Sequence, residues 1–138
     1  MSEQGINYDV IIEQRAEEIF KAIAPRLSEE DMERVKDAFA LAREAHAPQK
    51  RKSGEPYILH PIAVAKIAAM ELMLDANTVI ACFLHDVVED TPYTIDDIRT
   101  RFGDDVASLV KVVTKKATKV YELSKQLDNY KQLLDSLL

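Results

Sequence analysis

The segment His85-Asp86-Val87-Val88-Glu89-Asp90 places one imidazole and three carboxylates next to Phe83, Leu84, Val87 and Val88. Burying ionisable groups among such side chains is expensive unless an ion or a partner compensates. Residues four apart on a helix are neighbours. On one continuous helix, His85 would share a face with Glu89, and Asp86 with Asp90. The expected result is a ridge of one imidazole and three carboxylates, facing a cleft at the end of a core helix. A mixed nitrogen and oxygen set suits a divalent transition ion such as Mn²⁺ or Fe²⁺. Oxygen ligands alone would favour Mg²⁺ or Ca²⁺. His60 supplies a second imidazole, at the start of the preceding helix, where the chain can return beside His85. These are two of the three histidines in the chain. The competing reading is a solvated, acidic helix end, and the chemistry of these residues alone favours it.

A second constellation lies just ahead of His60. Lys50-Arg51-Lys52-Ser53-Gly54 joins three consecutive cations to a hydroxyl and a flexible backbone. Such a group can neutralise a polyphosphate. By itself, a solvated charge run is the simpler account. A basic loop beside candidate metal ligands is more informative, because metal-assisted phosphate chemistry needs both an ion and a charge clamp.

The elements that must position these residues are helical almost throughout. The chain has three glycines, and no stretch alternates long enough to suggest a sheet. Residues near Asp9 to Ile23 form a first amphipathic helix, with Ile12, Ala16, Ile19, Phe20 and Ile23 on one side and Pro25 ending it. Ser28 caps a second helix carrying Met32, Val35, Phe39 and Ala42, and Asp31 approximates a capping box. Residues 47–57 hold two prolines and a glycine and form a loop. Pro61 fits the first position of a third helix, which carries Ile62, Val64, Ala65, Ile67, Ala68 and Leu72. Asp75 or Asn77 caps a fourth helix through Ile80, Phe83, Leu84, Val87 and Val88. It is apolar nearly all round and belongs at the centre. Thr94 with Asp97 starts a fifth, which stops at Phe102-Gly103. A sixth runs from about Asp104 to Lys116. Val120, Leu123, Leu127, Tyr130, Leu134 and Leu137 then form a short heptad stripe, best explained by packing onto the same domain.

Composition limits the alternatives. The chain has 138 residues, 47% hydrophobic and 30% charged, as expected of one ordinary globular domain. Its net charge of -6 argues against non-specific nucleic-acid binding but permits a local phosphate site. The one cysteine, Cys82, rules out an internal disulfide framework and reads as a small buried hydrophobe. Neither a signal peptide nor a run of membrane-spanning length is visible, so the cytoplasm is the expected compartment.

The blocks Arg51-Lys52-Ser53-Gly54-Glu55-Pro56-Tyr57-Ile58-Leu59-His60-Pro61 and Phe83-Leu84-His85-Asp86-Val87-Val88-Glu89-Asp90-Thr91 resemble the hydrolase motifs of the RelA/SpoT homologue family. Ala63 to Ile67, Leu74 to Val79, Phe102 to Val106 and Val113 to Lys115 also fit. The resemblance runs from about His46 to Lys115, half the chain. It implies an all-α HD-domain helical bundle that binds Mn²⁺ and removes 3′-pyrophosphate from ppGpp and pppGpp. By motif position it implies His60, His85 and Asp86 as metal ligands. Glu89 and Asp90 would position and activate the attacking water. Arg51, Lys52 and Ser53 would contact the guanosine nucleotide. His46 has no metal role in that pattern and flanks the loop.

Two departures qualify the resemblance. The family's fourth ligand is an aspartate within a segment like Leu-Ala-Asp-Arg-Leu-His-Asn, and the chain reaches Leu138 without one. Neither Asp128 nor Asp135 has that motif around it. The family's Asp-Gly before Val-Thr-Lys is Lys111-Val112 here. The family's downstream synthetase and regulatory domains are also absent. Residues 1–138 are therefore expected to be a single HD-type hydrolase domain, incomplete at its C-terminus, with weakened metal binding and activity. The alternatives are another HD-type nucleotidase, or a binding module without catalysis that forms a homo-oligomer through the last helix.

Overall fold

The computed structural model describes residues 6–112, 125, 126 and 132. Helix α1 spans Tyr8–Ile23, with the Asn7 side chain accepting from the Val10 amide. Its buried stripe is Ile12, Ala16, Ile19, Phe20 and Ile23. Pro25 lies in the 3₁₀ turn Ala24–Arg26 that follows. Helix α2 spans Glu29–His46, and the Ser28 hydroxyl accepts from the Asp31 amide. The Asp31 carboxylate takes Arg34 instead of returning to Ser28, so only half of the expected capping box forms.

Helix α3 spans Leu59–Lys66 and continues as a π turn, Ile67–Glu71. It starts two residues earlier than Pro61 implies. The His60 amide donates to the Tyr57 carbonyl and the Leu59 amide to the Pro56 carbonyl, which winds the entry before Pro61. Pro61 still falls within the first turn, where a missing N–H is tolerated. The π turn adds a residue to the helical cycle, seen in the Leu72 amide reaching Ile67. An extra residue rotates the apolar face by about 100°. Leu72, expected on the buried face, is therefore exposed. Arg26 closes this end of α3, donating to the Leu74 and Ala69 carbonyls.

Helix α4, Ala76–Leu84, is capped by Asp75 and has Val79 through Leu84 wholly buried. It packs mainly against α2 and α3. Phe39 bridges Phe20 and Phe83, edge to face, at ring separations of 5.8 and 5.9 Å. Each such fully buried side chain contributes roughly 1.5–3 kcal/mol. Cys82 is buried and free, and burial pushes its thiol up to about 12. Helix α5 is the single turn Val87–Asp90, and α6 is Ile95–Phe102, opened by a full capping box between Thr94 and Asp97. Gly103, at φ 101°, ends α6 in the left-handed region that glycine tolerates. Residues 104–112 are helical again. No strand occurs among the described residues, so the domain is all-α as expected. None of their helices is long and apolar enough to cross a membrane. The heptad stripe from Val120 to Leu137 lies outside the described residues.

Candidate metal centre

The site lies where α4 gives way to α5. The expected single helix through Asp90 is interrupted, because α4 ends at Leu84 and His85 and Asp86 form a turn. The His85 Nδ1–H reaches back to the Cys82 carbonyl at 2.6 Å, satisfying a group that the helix end leaves open. The helical ladder resumes with the Asp90 amide on the Asp86 carbonyl. The ridge is thus only half buried: His85 is 1% and Asp86 8% exposed, while Glu89 and Asp90 face solvent.

His60, half-buried in the first turn of α3, returns beside this turn as the sequence implies. The two imidazole rings are 5.6 Å apart. Asp86 Oδ2 stands 3.1 Å from His85 Nε2 and 3.8 Å from His60 Nε2. One ligand atom from each of His60, His85 and Asp86 falls within 4.8 Å of the other two. Two imidazole nitrogens and one carboxylate oxygen form a set that suits a divalent transition ion. The second hydrogen bonds fit as well. His85 Nδ1–H on a carbonyl leaves Nε2 as the ligating atom.

Electrostatics favour a charged carboxylate here. Burial pushes Asp86 up, but the hydrogen bond and charge of His85, the Tyr57 hydroxyl and His60 outweigh it and bring the carboxyl to about 2. Burial pushes His60 down, and the opposing pull of Asp86 does not restore it. Burial also lowers His85, yet Asp86, the Cys82 carbonyl and Glu89 together leave it raised.

The cation loop joins the same region. Lys50, Arg51, Lys52 and Ser53, with Tyr57 and His60, line an open cleft of about 530 Å³. The loop is better ordered than its composition suggests. Lys50 and Pro56 form an isolated antiparallel bridge, the Tyr57 amide donates to the Gln49 carbonyl and the Arg51 amide to the Glu55 carbonyl. Gly54, at φ 92°, makes the turn. The Ser53 hydroxyl donates to Glu55. The structure therefore gathers His60, His85 and Asp86, and lays Arg51, Lys52 and Ser53 along the adjoining cleft. Glu89 and Asp90 are close by on α5, and the charge of Glu89 is felt at His85.

Sequence alone assigns Tyr57 and Gln49 no role at the site and places His46 only as a flank of the loop. Tyr57 donates to Asp86 Oδ2 at 2.6 Å. Burial first, and then this bond, raise its phenol, which keeps it a donor. Its spacing of three from His60 on a helical turn was the available signal. His46, read as merely flanking the loop, is buried, with its ring 4.9 Å from that of Tyr57.

The sequence profile of the HD domain family matches residues 38–136. The chain belongs to the HD domain family. It is 47% identical over 102 residues to guanosine-3′,5′-bis(diphosphate) 3′-pyrophosphohydrolase of Aquifex aeolicus, covering 74% of this chain. It is 48% identical over 99 residues to the bifunctional (p)ppGpp synthase/hydrolase SpoT of Escherichia coli, covering 72%. Each match spans 14% of that relative's length. Among solved structures, a metazoan ortholog of SpoT that hydrolyses ppGpp superposes with a TM-score of 0.58 at 30% identity. That match covers 73% of this chain and 70% of the other. The HD domain thus meets these relatives through the segment that carries its histidines and its cation loop.

Proposed function

We propose that this HD domain carries the centre that removes 3′-pyrophosphate from ppGpp and pppGpp in the cytoplasm, with Mn²⁺ held by His60, His85 and Asp86. The observation that carries the reading is the convergence of those three ligand atoms within 4.8 Å, beside a cleft lined by Arg51, Lys52 and Ser53. The names of the relatives supply the substrate. These three residues are one ligand short of the set that the resemblance implies, so the ion is expected to bind more weakly than at a complete centre.

When bound, a divalent ion offsets charge on phosphate oxygens and makes water a stronger acid. The chain's own residues do the rest. Arg51 and Lys52 bring cationic donors to the diphosphate, and the Ser53 hydroxyl adds a neutral one. Glu89 and Asp90, solvent-facing on α5, are carboxylates that orient the attacking water and accept its proton. Tyr57 and the backbone of Cys82 hold Asp86 and His85 in place.

The test is release of pyrophosphate from ppGpp by the purified chain with Mn²⁺, with and without chelator. Release that needs the ion and disappears in His85→Ala supports the reading. Release that ignores both, or none with any divalent ion, overturns it.

A further inference from the structure

Gln49 uses every polar group it has. Its backbone N–H donates to the His46 carbonyl at 2.8 Å, and its carbonyl accepts from the Tyr57 amide at 3.0 Å. Its side-chain Nε2 donates to the Asp90 carbonyl at 2.5 Å, and Oε1 lies 2.8 Å from His46 Nδ1. A carbonyl can only accept, so the Asp90 bond fixes which end of the amide is nitrogen. Oε1 must then accept, so His46 carries its proton on Nδ1. His46 is 1% exposed, and its Nε2 has no hydrogen-bond partner among the described residues. Leaving a buried acceptor unsatisfied costs about 1–3 kcal/mol. The fold accepts that cost at a residue whose one side-chain hydrogen bond orients Gln49.

The place of these bonds gives them a consequence. Gln49 and Tyr57 form the base of the hairpin that carries Lys50 to Pro56. Both reach the catalytic segment, Tyr57 through the Asp86 carboxylate and Gln49 through the Asp90 carbonyl. Helix α5 is one turn long and has a single fully buried anchor, Val87. One turn of helix has little stability of its own. Its terminal carbonyls have no partner within the helix. The Thr91 amide and hydroxyl both take that of Val87, whereas that of Asp90 is taken by the Gln49 side chain.

We infer that Gln49 is a positioning residue that locks α5, and with it Glu89 and Asp90, at a fixed distance from the cation hairpin. Clamp and carboxylates then move as one body, so phosphate held by the hairpin meets the attacking water at a set separation. A misplacement of about 1 Å can lower a rate about a hundredfold. The three metal ligands do not touch the Gln49 side chain: the Cys82 carbonyl holds His85, the Tyr57 hydroxyl holds Asp86, and His60 lies in the first turn of α3. The inference rests on the hydrolytic reading.

Gln49→Ala removes the lock, and Gln49→Glu keeps the shape while losing the donor. Hydrogen exchange at the Asp90 and Thr91 amides, Mn²⁺ affinity, and kcat and KM for ppGpp are compared with the unaltered chain. The expected result is faster exchange confined to α5 and a kcat lower by about tenfold or more, with Mn²⁺ affinity and KM changed less than about twofold. A kcat within twofold of the unaltered chain overturns the inference, and so does a matching loss of Mn²⁺ affinity. If the unaltered chain releases no pyrophosphate, the hydrolytic reading fails on its own. The exchange comparison still judges the lock, and unchanged Asp90 and Thr91 rates sink it.

Discussion

The Tyr57 hydroxyl donates at 2.6 Å to Asp86 Oδ2, the same oxygen that faces His85 and His60. Tyr57 therefore sets where that oxygen points. Tyr57→Phe keeps the ring between His46 and His60, at 4.9 and 5.9 Å, and removes only the donor. Outer hydrogen bonds of this kind are worth about 10–100-fold in metal affinity. The Mn²⁺ dissociation constant of the variant should rise by at least about tenfold, as read by calorimetry or by the Mn²⁺ resonance signal. An unchanged constant would show that Asp86 is held by its histidines alone.

Glu89 and Asp90 are exposed, whereas His85 is buried. That difference separates chemistry from stability. Glu89→Gln and Asp90→Asn should each leave the unfolding free energy within about 0.5 kcal/mol. Pyrophosphate release should fall about 10²–10⁴-fold with Mn²⁺ still bound. His85→Ala should instead lose the ion and destabilise the fold, because it empties a packed position. Wild-type turnover in Glu89→Gln would remove Glu89 from the mechanism.

These contrasts mark how far the sequence could be read. Helical spacing found the buried stripes of α1 and α2 because side-chain periodicity follows directly from 3.6 residues per turn. It found α4 as the central element because nothing polar interrupts Val79 to Leu84. The break at His85 was not visible, since a side chain returning to the Cys82 carbonyl leaves no pattern in the apolar spacing. The π turn that exposes Leu72 was hidden for the same reason. His60 and His85 could be paired by type, and the spacing of Tyr57 from His60 was legible, but its bond to Asp86 was not, because a hydroxyl there meets a residue 29 positions away. Gln49 reaches Asp90 across 41 positions by an amide whose partner is a backbone carbonyl, which any residue could supply.

The cation hairpin offers a test of pre-organisation against charge. Arg51→Ala removes a cation from the cleft and leaves the turn intact, since Arg51 holds the turn through its backbone. Gly54→Ala leaves the charges but strains the turn, because φ is 92° there. No atom within 4 Å would meet the added methyl, so the cost is conformational, about 1–2 kcal/mol. Arg51→Ala should raise KM for ppGpp about tenfold and flatten its dependence on salt. Gly54→Ala should raise KM with the salt dependence preserved. Identical salt profiles in both variants would show that Arg51 contributes no charge to binding.

Helix α4 ends beside the turn that holds His85 and Asp86, and it is fastened at its other end by Asp75, which accepts from the Thr78 amide at 2.9 Å. The hydrogen bonds from Thr78 hold this carboxyl below its usual range. A carboxyl with a lowered folded pKa binds its proton more readily when unfolded. Its stabilisation is therefore complete above the ordinary carboxylate pKa and is lost as pH falls through the lowered value. Asp75 is largely exposed, so the capping bond rather than the charge sets the size of the effect. Asp75→Ala should cost about 1 kcal/mol near neutral pH. That difference should shrink as the solution is acidified past the lowered pKa. Asp75→Asn keeps an acceptor that does not titrate, so its margin over Asp75→Ala should stay constant with pH. Denaturant unfolding of the three proteins at neutral and acid pH measures both trends. A gap between wild type and Asp75→Ala that is as large in acid as at neutrality would show that the Asp75 carboxylate is not what caps α4.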